Sequence, residues 1–319
     1  MDVVILAAEA CDAAKEIICR PGNVVELFEH KEALFSIGPF DFTRTVFLIF
    51  LATLIVVGAL YVAFRTPKVV PGKFGVMMES VVAFVRDDVA KGTIGPEGTK
   101  YVPYLLTIFL FILVGNLFEL TPGVNFPITS RMAIPLMLSV FTYLIFVVVG
   151  FAKNGFSYLL SVIWPKSVPV ALRWFVGLIE FFSTFVLRPI TLAVRLFANL
   201  VAGHLMLTLL LVSGYVFLTY TGGEPSTTMV LIAVAIGVTS LAAAVGSAMK
   251  HRKLWAGVFG VITFLAYAWL HHFRPVIGLP WFLFGLGIFL FEFVVAVLQA
   301  YIFTLLSAVY IQTSVHPEH

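Results

Sequence analysis

The chain has 319 residues, of which 61% are hydrophobic, 15% aromatic and only 12% charged, with a mean hydropathy of +1.04. Soluble domains are about 45–50% apolar and about 25% charged, so a water-soluble globular fold is excluded. A disordered chain, a disulfide-stapled secreted domain and a nucleic-acid binder are excluded too, because each needs polarity, cysteines or basic charge that is lacking here. The net charge of +3 is too thinly spread to select an acidic partner, and what remains is an all-α polytopic membrane protein.

Residues 1–41 form an acidic N-terminal tail, with eight acids against Lys15, Arg20 and Lys31. Its start lacks a basic stretch and a long apolar run, so it does not read as a cleaved signal peptide. Cys11 and Cys19 share this tail: they bridge if it faces an oxidising compartment, and free thiols are the other reading. Residues 42–151 hold three predicted spans, Phe42 to Phe64, Tyr101 to Leu120 and Ile134 to Phe151, each near the ~20 residues a crossing needs. Between the first two lies an amphipathic stretch, residues 74–89, expected at the interface.

Residues 152–218 open with a linker carrying Lys153, Lys166 and Arg173 and continue into the apolar run Val176 to Leu218. As a helix that run would be about 65 Å long against a hydrocarbon core of about 30 Å, so it is two spans or one tilted one. Charge decides. For residues 65–100, residues 152–175 and Lys250-His251-Arg252-Lys253 to share the inner side, as Lys and Arg do, the run must cross once. Pro189, which lacks an N–H, is the expected kink. Residues 219–275 then contain a hairpin of two spans, Thr227 to Met249 and Leu254 to Leu270. Residues 276–319 contain a second overlong helix, Pro280 to Ile311, and a short inner tail. About seven crossings result. No internal repeat is visible, which argues against a secondary transporter built of inverted halves.

Ionisable residues inside spans are costly, about 2.5–3.5 kcal/mol each on insertion scales, and are functional candidates by default. They are Glu180, Arg188, Arg195 and Glu292, with Glu119 at an outer end and His204 as a titratable neighbour. Arg44, at the mouth of the first span, reads as a snorkelling anchor. Asn199 lies one turn from Arg195 on the same face, with small Ala198, Ala202 and Gly203 nearby to admit another helix. His204, nine positions from Arg195, points about 180° away. Glu292 and Gln299, seven apart, share a face of the last helix; His204 is the expected partner of Glu292, and Arg195 of Gln299. A permanent guanidinium cannot relay protons but lowers the pKa of a passing carboxylate, whereas a carboxylate and an imidazole can relay.

The run Arg188-Pro189-Ile190-Thr191-Leu192-Ala193-Val194-Arg195-Leu196-Phe197-Ala198-Asn199-Leu200-Val201-Ala202-Gly203-His204 closely resembles the signature of subunit a of F-type ATP synthases. So do Glu292 with the segment Leu298 to Leu306, and the segment Leu106 to Phe111 with Asn116 and Pro122-Gly123. The resemblance implies a non-catalytic stator subunit of a rotary motor, with two long tilted helices packed along the ring of c subunits. It implies two aqueous half-channels, with Arg195 facing the ring carboxylates, Asn199 beside it, Gln299 across from it, and His204 with Glu292 as a polar pair in one half-channel. The implied partners are the c-ring, subunit b and other stator subunits, lipids and translocated protons, with no cofactor, metal or nucleic acid. The implied location is the bacterial plasma membrane or the mitochondrial inner membrane.

Two features depart from that pattern. Arg195 and Gln299 are 104 residues apart because of the inserted hairpin, and Glu180 lies fifteen residues before Arg195, shifted by one, with Arg188 as a candidate ion-pair partner and a structural role expected. Rival readings fare worse. A membrane metalloprotease would need His-Glu-x-x-His, which is absent, and Gly95-Pro96-Glu97-Gly98-Thr99-Lys100 lacks the Gly-Lys-Ser/Thr order of a phosphate loop. An independent proton channel or secondary transporter is the alternative from a different class.

Overall fold

A computed structural model describes residues 33–37, 40–65, 71–121, 128–164, 169–219, 227–249, 253–270 and 274–315. Cys11, Cys19, Pro122, Gly123 and the loop residues 250–252 lie outside them. The all-α expectation holds with one addition. An antiparallel ribbon of β1 (Ala33–Ile37) and β2 (Phe40–Thr43), with Ile37 opposite Phe40 and Phe35 opposite Phe42, takes up the end of the polar tail read over residues 1–41 and the first two residues of the predicted first span. The cue was present: Phe35, Ile37, Phe40 and Phe42 alternate with other residues on either side of Gly38-Pro39. Helix α1 (Arg44–Phe64) consequently starts at Arg44 rather than at Phe42.

The helices that follow are α2 (Lys73–Ala83), which runs on as a π-helical stretch over Phe84–Lys91, then α3 (Val102–Leu120), α4 (Ala133–Asn154) and α5 (Ser157–Ile163). Next come α6 (Val170–Phe182), a π turn at Ser183–Leu187 and α7 (Arg188–Thr219), then the hairpin of α8 (Thr227–Met249) and α9 (Lys253–Leu270), and finally α10 (Arg274–Val315). Five helical segments are long and apolar enough to span a membrane, and α8 and α9 add shorter apolar stretches. The ambiguous apolar run is helical throughout, with a π turn within it: Leu172–Leu218 comprises 47 residues, about 70 Å along the helix at 1.5 Å per residue. Its irregularity falls just before Pro189, where the Arg188 N–H reaches back five residues to the Ser183 carbonyl. Proline has no N–H to offer the preceding turn, so the hydrogen-bond ladder loosens there.

The described residues divide into two compact units, one within residues 203–292 and the other formed by those between 33 and 202 together with 293–315. In the second unit the core gathers Val89, Leu105, Phe146, Leu196, Phe303 and Ile311. The π stretch Phe84–Lys91 lies against the N-terminal end of α3, with the carbonyl of Ala90 packed directly on Gly98 just before it. Outside the spans, hydrogen bonds from Arg86 and Lys91 hold the Asp87 carboxyl well below the usual carboxylate range. Lys153 at the end of α4 is ion-paired with Glu97. Gly177 of α6 takes the Ile163 carbonyl of α5 where any Cβ would overlap it. Gly177→Ala is therefore expected to cost about 1–3 kcal/mol, read as a lower unfolding temperature in detergent; an unchanged transition would reject this packing.

In the first unit, α7 and α10 run antiparallel in close contact. A Cβ on Gly214 would come within 2.9 Å of the Phe282 N, one on Gly278 within 2.7 Å of the Leu218 N, and one on Gly285 within 2.9 Å of a Leu211 methyl. Small residues let backbones approach this closely in membranes, where apolar side chains gain nothing by leaving lipid. Helices α8 and α9 are joined by a hydrogen bond between Ser240 and Thr263 (2.9 Å) and expose large apolar side chains such as Leu231, Val238, Leu254 and Val261. A hairpin that crosses twice, as expected from the sequence, would preserve the orientation of whatever follows. Deleting residues 227–270 is therefore expected to leave the C-terminus on its original side, as read by proteolysis of a C-terminal tag in sealed vesicles.

Candidate functional site in the membrane

Arg195 is the central residue of the 47-residue rod, with 23 residues on either side. Its side chain is exposed on the chain's surface, as are those of Val194, Ala198, Asn199 and Ala202. The opposite side of the same helix is packed, with Leu192, Leu196 and Leu200 buried. The polar stripe of α7 thus points away from this chain's own core. A guanidinium inside a membrane span is costly unless a partner offsets its charge.

His204, nine residues on, is 6% exposed, and Glu292 is 5% exposed. They are close in space by a specific device: the Glu292 carboxylate fills the position that a side chain at Gly203 would occupy, with its carboxyl carbon 2.5 Å from where a Cβ would stand. This places the carboxylate against the residue that precedes His204. The spacing reveals why α10 can do this. Gly278, Gly285, Glu292 and Gln299 recur every seven residues and all are buried, so one face of α10 presents two glycines for close approach and then two polar side chains. That series was legible in the sequence, but its glycines carried no recognisable chemistry alone.

In the second unit Gln299 is 4% exposed. Arg188 extends to α10, where its Nη1 donates to Thr313 Oγ1 (3.1 Å) and its guanidinium carbon lies 5.3 Å from the Tyr310 ring centre. This corrects the expectation of a local pair with Glu180. The reason is reach: Tyr310 and Thr313 offer a π face, a hydroxyl and the negative end of a long helix together. Taking Arg188 opposite Tyr310, seven residues outward on each antiparallel helix brings Arg195 level with Phe303, one turn from Gln299. Serine and threonine secure the same region. Ser139 of α4 donates to the Pro189 carbonyl, and the Tyr104 hydroxyl donates to Thr142 (2.8 Å).

Asn116 and Glu119 are buried near the C-terminal end of α3, one turn apart. Thr129 Oγ1 donates to Asn116 Oδ1 (2.9 Å), and the Asn116 Nδ2 has no protein partner. Glu180 is partly buried on α6. The sequence had no means of identifying Thr129, Tyr310 or Thr313 as partners, because each side chain gains its meaning only from a neighbour 13 to 125 residues away.

Comparison with known proteins gives a consistent result. The family model described as ATP synthase A chain matches residues 46–248. A protein from Rhodococcus erythropolis named ATP synthase subunit a is 30% identical over 287 residues, covering 89% of this chain and 86% of that protein. The same name belongs to a Maricaulis maris protein, 30% identical over 310 residues and covering 93% and 98%, and to a Frankia alni protein, 43% identical over 149 residues and covering 46% and 52%. The matched segment contains the Arg195 rod and the buried cluster of α3, and the chain belongs to the ATP synthase A chain family.

Proposed function

We propose that this chain is the proton-translocating, non-catalytic membrane stator subunit of a rotary F-type ATP synthase in a bacterial plasma membrane. Arg195 is the cation that meets the carboxylates of a c-subunit ring. Protons reach the ring through one aqueous half-channel, neutralise a carboxylate, travel round with it through lipid and leave by a second half-channel. His204 and Glu292 are the relay groups of one half-channel, an imidazole and a carboxylate that can pass protons. Gln299 and Asn199 frame the arginine. Asn116 and Glu119 are secondary polar groups near the outer surface, and subunit b with the other stator subunits are the remaining partners.

The observation that carries this reading is the division of polar residues between two faces. A permanent cation with Asn199, Ala198 and Ala202 faces outward at mid-membrane, while the titratable His204 and Glu292 are turned into the chain. An outward cation on a small-residue stripe suits a partner helix that brings a carboxylate. An Asn199→Cys variant is expected to crosslink to a c-ring helix in assembled membranes; absence of any crosslink with a cysteine scanned along that helix would reject the docking. Purified without a ring, the chain is expected to give little proton flux in vesicles. Flux comparable to that of the complex would favour the independent-channel reading.

A further inference from the structure

The π turn at Ser183–Leu187 interrupts a helix whose burial pattern shifts by one residue across it. Upstream, Gly177 and Thr184 are buried seven residues apart. Seven residues further, Thr191 is exposed, and the next one, Leu192, is buried instead. The partly buried series behaves in the same way: Arg173, Val176, Glu180 and Ser183 are followed not by the exposed Leu187 but by Arg188. The hydrogen bond from the Arg188 N–H to the Ser183 carbonyl five residues back accounts for that slip, since a π turn absorbs one extra residue within a helix.

The slip matters for the charged groups. Glu180 and Arg188 are eight residues apart, which in an unbroken α-helix separates them by about 80° around the axis. With one residue absorbed they stand as seven, two turns apart within about 20°. Arg188 to Arg195 is again seven, and Arg173 to Glu180 likewise seven. We propose that the π turn is an alignment device that brings Glu180 into line with Arg188 and Arg195, so that the inner half of the arginine rod presents one face with a carboxylate between guanidiniums. This rests on the functional reading above and names Glu180 as a positioning residue on the inner proton path. Steps of about 10.5 Å keep Glu180 from pairing with Arg188 directly, which agrees with Arg188 being held by Thr313 and Tyr310. A straight helix would turn the carboxylate off this line.

The test uses the assembled complex in membrane vesicles. Removing Val186 should straighten the turn yet keep Glu180 and Arg188 in line, so ATP-driven proton pumping should stay within about twofold of the parent, whereas inserting one Ala after Val186 should lower it about tenfold or more by misplacing the carboxylate. Equal damage from both changes in assembled complexes, or no damage from either, would overturn the proposal. A labelling experiment stands even if a length variant fails to assemble. Single cysteines at positions 180 and 188 should react with a water-soluble maleimide at similar rates, and faster than cysteines at Ile179 and Phe181; uniform labelling would also overturn it. This pattern should persist in Arg195→Ala, so a failed functional assignment remains distinguishable from a failed alignment.

Discussion

Vesicles containing the complex with Arg195→Ala are expected to make no ATP from an imposed proton gradient, at the background level of vesicles lacking the complex. The cost follows from where the charge stands. Each proton crossing 100 mV is worth about 2.3 kcal/mol, and two aqueous half-channels that meet without a barrier would dissipate all of it. A guanidinium keeps its charge in proteins, so it repels a proton moving directly while attracting an ionised carboxylate. Arg195→Lys retains a cation but loses the planar fork and is expected to recover little synthesis. Assembly should survive both changes, because Arg195 is exposed and its removal leaves no hole in the core. ATP synthesis by Arg195→Ala at the parental rate would reject the assignment.

The second large effect is expected at Gly203. A methyl at this position would overlap the Glu292 carboxylate, and the displaced group is the flexible end of a side chain rather than backbone. Gly203→Ala should therefore leave folding and assembly near normal while moving the carboxylate, lowering proton pumping about tenfold or more through a shift of about 1 Å in a relay group. Gly214 and Gly278 provide the contrast. A Cβ there would press on the backbone nitrogens of Phe282 and Leu218, which cannot swing aside, so Gly214→Ala and Gly278→Ala should reduce the yield of assembled complex. Equal loss of assembly at all three glycines would show that Gly203 is a packing position and not a cradle for the carboxylate.

Composition and hydropathy determined the class of this protein, since a chain so poor in charge can satisfy its surface only in lipid. Charge bias argued for a single crossing of the long apolar run, and the spacing of Arg195, Asn199 and His204 allocated them to opposite faces, because helical periodicity is local information. The Phe alternation around Gly38-Pro39 was equally local and marked the β ribbon. Contacts between distant segments were not local. Arg188 is claimed by Tyr310 and Thr313 rather than by its helical neighbour Glu180, and only the meeting of α7 and α10 could supply those partners. Gly203 has no side chain, so nothing in the sequence marked it as the seat of Glu292; the seat exists because an antiparallel helix comes close enough for the missing side chain to be replaced by a carboxylate. The one-residue shift of Glu180 was visible as spacing, yet whether it rotated the carboxylate away was decided by a π turn, a feature created by backbone hydrogen bonding around Pro189.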